Sequence, residues 1–251
     1  MYNRVMNKVV DALNKGRKIV INRSEKANGE NLQIAYESWT GRWIVASKNV
    51  TILVKDLNEL SYYNDFKTEK DKESNETDRF HYVCMFATRW FKILETMKEK
   101  NLYSEFIEIV DGFTLVGEHL DLELQHIKLY PENDIHFYSI VDNYSDKICE
   151  TVEYTKNLFN KFGLKLVNVN YVDTVDNLQD FYHKLEEVYL YVLRASVELE
   201  GEGNVVYISM LEEDKHEEVI SLAKLKTFEY RVLRKLREKL KTYYKNIGKF
   251  A

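Results

Sequence analysis

The stretch "SEKANGENLQIAY", residues 24–36, places a lysine three residues ahead of a glycine and then runs into alternating apolar and polar positions. Asn28-Gly29 is a strong short-range signal for a tight hairpin turn, because both residue types accept positive φ at little cost. On that reading Lys26 is a solvated flank of the turn. A lysine so placed is usually nothing more, so the surrounding chain has to decide its role. Downstream, "NLQIAYESWTGRWIVASKNVTILV" (31–54) continues the alternation around a Trp-Thr-Gly-Arg turn, which predicts a β-hairpin or meander.

The rest of the chain alternates between helical and strand patterns. "KTEKDKESNETDR" (67–79) mixes charges without a periodic apolar face and reads as an exposed loop. "RFHYVCMFATRWFKILETMKEK" (79–100) has apolar residues at helical spacing, and "GFTLVGEHL" (112–120) and "DIHFYSIVDN" (134–143) have strand composition. "DKICETVEYTKNLFNKFG" (146–163) predicts an amphipathic helix stopped by Gly163. "LKLVNVNYV" (164–172) alternates as a strand, and residues 175–196 return to helical spacing. "GNVVYISM" (203–210) and "EEVISLAKL" (217–225) read as strands before a basic C-terminal helix over 226–248. Strands flanked by helices without a βαβ rhythm predict an α+β fold of antiparallel sheets, as one domain over 1–251.

Composition narrows the setting. Pro131 is the only proline among 251 residues, so a proline-rich linker is excluded. No apolar run is long enough to span a bilayer, and "MYNRVMNKVV" lacks the apolar core of a secretory signal. Cys84 and Cys149 sit far apart in apolar surroundings, as buried thiols of a reducing compartment would. These features lead us to expect an intracellular protein, cytoplasmic or nuclear, with no membrane partner. The net charge is −5, yet "KLKTFEYRVLRKLREKLKTYYKNIGK" is strongly basic after the acidic "LEGEG" and "LEEDKHEE". A basic stripe on an acidic protein suits a polyanion held at one place, although a solvated helix face gives the same pattern. There is no GxSxG, HExxH or P-loop, and the six histidines show no ligand spacing. "GEGNVV" enters a strand after a helix, the reverse of a dinucleotide-binding loop.

What remains is a set of charged residues, with their neighbours, at the ends or middles of predicted strands: Lys26, Ser47-Lys48-Asn49, Glu118, Glu202, Lys224 and Lys226. Any one of them is ordinarily a solvent-facing strand position. Burying such charges is costly unless they are paired or arranged about a ligand. Lys224 and Lys226, at i and i+2, share one face of a strand, and without an anion between them they repel.

In order and content these pieces resemble the covalent lysine nucleotidyltransferases, that is RNA ligases, DNA ligases and mRNA capping enzymes. Among these the chain is most similar to phage RNA ligases and to fungal and plant tRNA ligases. "KANG" matches the KxxG motif with Lys26 as nucleophile, and "SKN" at Ser47–Asn49 resembles the following basic motif. Phe113, Gly117 and Glu118 match F-x-x-x-G-E, and "HFYSIVD" resembles the base-packing segment. Glu202, Gly203, Val205 and Val206 match EGxVV, and Lys224 and Lys226 match KxK. In two places the chain departs from the pattern. Ile140 and Val141 stand where an aromatic followed by an acid is often found, which leaves Phe137 and Tyr138 both open as the base-stacking residue. Asn28 replaces the Asp or His of many relatives.

The resemblance implies a nucleotidyltransferase (ATP-grasp-like ligase) domain without an OB domain, expected to be monomeric. It implies an ATP-dependent RNA ligase that joins 5′-phosphate and 3′-hydroxyl RNA ends through lysyl-AMP and AMP-RNA, with Mg²⁺ or Mn²⁺. In that scheme Lys26 attacks the α-phosphorus, while Lys48, Lys224 and Lys226 favour its neutral amine by repulsion and stabilise phosphoryl charge. Glu202 anchors the metal, Glu118 contacts the ribose, and the Glu25 backbone reads the adenine edge. Ser47, Asn28 and Gly29 complete the nucleotide site, with Gly29 as the backbone requirement of the turn. The basic helix would grip RNA through Arg231, Arg234 and Arg237. The alternatives are a capping-type guanylyltransferase using GTP, or a relative that binds nucleotide or RNA without turnover. A ligand-free scaffold is disfavoured because it leaves Lys224 and Lys226 without a counter-charge.

Overall fold

The computed structural model describes residues 2–64, 79–122, 133–195, 201–214 and 216–247. The chain begins with α1 (Tyr2–Asn14), β1 (Lys18–Glu25), β2 (Glu30–Glu37), β3 (Arg42–Ala46) and β4 (Thr51–Val54). Then come α2 (Leu60–Asn64), α3 (His81–Glu99), α4 (Tyr103–Val110), β5 (Phe113–Leu120), β6 (Asp134–Asp142) and α5 (Val152–Phe162). The last elements are β7 (Val169–Val175), α6 (Leu178–Ala195), β8 (Gly203–Leu211), β9 (Glu217–Lys226) and α7 (Phe228–Ile247). The strands form two antiparallel sheets, ordered β7-β1-β8-β9 and β4-β3-β2-β5-β6, so the expected α+β class holds. Among the described residues no helix is long and apolar enough to cross a membrane.

By compactness the chain divides into two units. One takes in Met1–Asn28 and Val167–Ala251 and holds the four-stranded sheet. Its core joins Ile19 and Ile21 of β1 and Val206 and Ile208 of β8 to Val9 of α1 and Phe181 of α6. Alternation along β1 and β8 aims these side chains at one face. Helix α1 is not among the elements expected from the sequence, although Met6, Val9 and Ala12 show its helical spacing.

The other unit, Gly29–Leu122 with Pro131–Leu166, holds the five-stranded sheet. One sheet face, with Ile34, Val45, Leu115 and Ile140, packs on Phe86 and Trp90 of α3, Phe106 of α4 and Phe159 of α5. Aromatic edges meet faces there: Trp43 and Trp90 lie 5.1 Å apart at 75°. The predicted meander is present as β2-β3-β4, and the Glu37 carboxylate holds its first turn by accepting from the N–H groups of Trp39 and Thr40 at 3.2 and 2.9 Å. Gly163 stops α5 at φ 67°, as the sequence predicts.

Two expectations are corrected, and two segments lie in part outside the described residues. Asn28-Gly29 does not make a hairpin: β1 bonds β7 and β8, whereas β2 bonds β3 and β5. Gly29 has no positive φ, and glycine is needed for a different reason. A Cβ there would lie 2.3 Å from the His119 carbonyl oxygen. The strand expected over 164–172 begins only at Val169, because Leu166 bridges to Phe137 before the chain leaves the five-stranded sheet's unit. Of the loop expected over 67–79, residues 67–78 lie outside the described residues. The C-terminal helix runs Phe228–Ile247, while Lys226 belongs to β9 and 248 is not described.

At the end of β5, His119 is 3% exposed and its ring packs on Phe86 with centroids 4.8 Å apart. Burial lowers its pKa from 6.5 to about 4, Arg89 adds to the shift, and Asp121, Asp134 and Glu30 oppose it. The folded state therefore refuses a proton that the unfolded chain accepts. Stability from this group is fully present above pH ~6.5 and is lost as pH falls towards 4, to a limit of about 3 kcal/mol. Urea titrations across that window should show the loss, and His119→Gln should flatten it. Phe137→Ala should cost about 3–5 kcal/mol in the same assay at neutral pH.

Candidate active site

The chemistry-bearing residues of the four-stranded sheet meet at one end of β1, β8 and β9. Lys26 follows β1 and keeps its register, its N–H donating to the Gly203 carbonyl at 2.9 Å. Gly203 opens β8 opposite Lys226, the last residue of β9. The middle position of this row must be glycine: Gly203 has φ 138°, and a Cβ would sit 2.0 Å from the Leu225 carbonyl oxygen. Glu202, one residue earlier, turns its carboxylate between the two lysines. Its Oε1 accepts from Lys26 Nζ at 2.9 Å and from Lys226 Nζ at 2.7 Å.

The Glu202 side chain is 4% exposed, those of Lys26 and Lys226 16% and 27%. A carboxylate so deep is costly unless paired and hydrogen-bonded, and two ammonium groups on one oxygen meet that need. Tyr230 adds to the arrangement. It hydrogen-bonds Glu202, and Lys226 Nζ lies 4.8 Å from its ring centroid. Burial and the Glu202 charge push the Tyr230 phenol up, while Arg234 and Arg237 pull the other way. Thr227 fixes the start of α7: its N–H donates to the Glu202 carbonyl at 3.1 Å, and its hydroxyl accepts from the Tyr230 N–H at 3.3 Å. Tyr230 and Thr227 were not singled out in the sequence. The one legible signal was a threonine directly before a helical run, an N-cap pattern.

Lys26, Glu202 and Lys226 are thus brought together, and the other sequence-predicted residues are not all with them. Lys224 shares the face of Lys226 but its side chain is exposed, and among the described residues it makes no ion pair. Lys226 does have a counter-charge, so the sequence argument against a ligand-free scaffold fails for it. The Glu25 N–H donates to the Asn168 carbonyl at 2.8 Å. Asn28 is buried, at 4% exposure.

In the five-stranded unit, Ser47, Lys48 and Asn49 form the β3–β4 turn and do not lie on a strand. Ser47 Oγ accepts from the Val50 N–H at 3.1 Å, a local turn bond, and Lys48 is exposed at the tip. Glu118 on β5 pairs in register with Asn31 on β2. A register shift in β6 leaves Tyr138 between the paired residues Phe137 and Ser139, and its hydroxyl accepts from Asn31 Nδ2 at 3.2 Å. Burial and Glu118 push the Tyr138 phenol up to about 12. Phe137 points the other way, fully buried against Trp90 and Phe159. Its candidacy for base stacking is withdrawn, because a core ring cannot meet a ligand, and Tyr138 is left from that pair.

Among the described residues no three His, Cys, Asp or Glu side chains could together hold a metal ion. Glu202 alone is the hard oxygen donor that Mg²⁺ or Mn²⁺ takes when waters and substrate phosphates complete an octahedral shell, so the donor type fits.

No family model and no curated protein matches the sequence. Solved structures do. The Naegleria gruberi RNA ligase with PPi is 14% identical with a TM-score of 0.50, over 92% of this chain and 56% of that one. The chain has the fold of an RNA-ligase nucleotidyltransferase domain. An archaeal ATP-dependent RNA ligase gives 16% identity and a TM-score of 0.46, over 87% of this chain and 45% of that one. A mutant of the Naegleria ligase with ATP and Mn gives 12% and 0.49, over 90% and 55%. The chain spans about half the length of the solved RNA ligases it matches.

Glu202→Ala should destabilise the protein by on the order of 3 kcal/mol, since it leaves two neighbouring ammonium groups unpaired. Lys26→Ala should cost only about 1 kcal/mol, because Lys226 still holds the carboxylate. Chemical denaturation of the two variants beside the parent checks the order, and equal losses would contradict the geometry.

Proposed function

We propose that residues 1–251 form one nucleotidyltransferase module of an ATP-dependent RNA ligase, and that Lys26 is its nucleophile. The observation that carries this reading is the pairing of Lys26, three residues ahead of Gly29, with a buried Glu202 that Lys226 also contacts. An isolated turn lysine would have no such partners.

In the first step Lys26 gives up a proton, and its neutral Nζ attacks the α-phosphorus of ATP. A P–N bond forms as the bond to the pyrophosphate oxygen breaks, leaving lysyl-AMP and pyrophosphate. An incoming triphosphate competes with Glu202 for Lys26 and Lys226, and Lys226 then faces the charge that builds on the phosphoryl oxygens. A divalent ion, when bound with the nucleotide, supplies further positive charge, and Glu202 would hold it. Glu118 and Tyr138 are our candidates for the ribose and the base. AMP then passes to a 5′-phosphate RNA end, and a 3′-hydroxyl displaces it to seal the strand.

Intact mass after incubation with ATP and Mg²⁺ should rise by one AMP, and Lys26→Ala should show no gain. Lys226→Met should slow the gain by about 10²–10³-fold. GTP in place of ATP as the donor would move the assignment to a capping-type enzyme, and no adduct from any nucleotide would overturn it.

Helix α7 is the proposed RNA grip. Arg237 is half-buried and ion-paired with Glu238 at 3.1 Å, so the solvent-facing cations of its first turns are Arg231, Arg234 and Lys235. Replacing these three by glutamine should weaken RNA binding and flatten its salt dependence without removing the AMP adduct. Unchanged RNA affinity would exclude this helix.

A further inference from the structure

The five-stranded unit contains a cavity of about 310 Å³ that plays no part in the scheme above. One wall is a single face of α3, with Met85, Arg89 and Lys92 at i, i+4 and i+7 and Cys84 beside them. His119 of β5, Asp121 just beyond that strand, and Asn133 also line it. Arg89 is half-buried and Lys92 exposed, so the positive charge of the lining is open to solvent. His119 and Asp121 are 3% and 7% exposed, so both have little contact with bulk water.

His119 is the group that asks for a ligand. Among the described residues its Nδ1 is buried without a hydrogen-bond partner, and an orphaned buried polar atom is costly to maintain. A neutral imidazole offers one N–H and one bare nitrogen, a donor and an acceptor on one ring. Bare phosphate suits this cavity poorly, because a carboxylate stands in the wall and the histidine is uncharged. A metal suits it no better: among the described residues no cluster of three ligating side chains exists. The combination fits a nucleotide, in which a planar, mixed donor–acceptor edge is joined to a phosphate.

We propose that this cavity takes one nucleotide of an RNA strand, with its phosphate on Arg89 and Lys92, its base against Met85 and Cys84, and the base edge on His119. The assignment rests on the RNA reading above, but it uses none of the residues assigned to nucleotidyl transfer and can fail alone.

The test uses the full chain with labelled histidine, titrated with a hexaribonucleotide carrying 5′- and 3′-hydroxyl ends, which offers no 5′-phosphate to react. The His119 ring resonances should move with saturation, and Arg89→Gln/Lys92→Gln should weaken that response at least fivefold. The same variant should form the AMP adduct at the parental rate. Inorganic phosphate moving the resonances as far as the oligonucleotide would overturn the nucleotide assignment in favour of a simple anion site. Resonances unmoved by the hexaribonucleotide would overturn the proposal, whatever the mass measurement says about Lys26.

Discussion

A carboxylate with almost no access to water, held between two lysines, is the constraint on which the four-stranded unit turns. The Glu202 carboxylate is paired at that depth because β1, β8 and β9 end in the same row and deliver an ammonium group from either side. The row in turn requires Gly203, whose missing side chain lets β8 pass against β9. The charged cluster and the sheet register are therefore one structural fact. A one-residue slip in β9 would send Lys226 to the opposite face and take from Glu202 one of its two ammonium groups.

Much of this was legible in the chain. Alternation marked the β2-β3-β4 meander, helical spacing marked α3 and α5, and the i, i+2 lysines correctly shared a face. The meaning of Asn28-Gly29 was not legible. The pair has the chemistry of a hairpin turn, but β1 pairs with strands more than a hundred residues downstream and β2 finds its second partner, β5, about eighty residues downstream, and no local signal encodes long-range pairing. The counter-charge was missed for a related reason. Glu202 and Lys226 are distant in sequence, and only the antiparallel register brings Lys226 beside the glutamate's neighbour. Phe137 and Tyr138 were indistinguishable as adjacent aromatics until the irregularity in β6 assigned them to different environments.

The five-stranded unit shows how a two-faced sheet divides its labour. Ile34, Leu115 and Ile140 fill the face towards α3, whereas Asn31, Glu118 and Tyr138 gather their polar groups elsewhere on the same strands. Likeness of fold to an RNA ligase at 14% identity is consistent with such economy: the apolar pattern that builds the sheets can drift widely while the architecture persists.

The joint between β9 and α7 carries a mechanical consequence. Lys226 ends the strand, Phe228 begins the helix, and the single residue between them, Thr227, is bonded on both sides to its surroundings. A connection one residue long has no slack. Swinging α7, a lever of 20 residues, must either tear out the threonine or drag the Lys226 ammonium along the arc. Whatever seizes the far end of the helix thereby pulls on the charge beside Lys26.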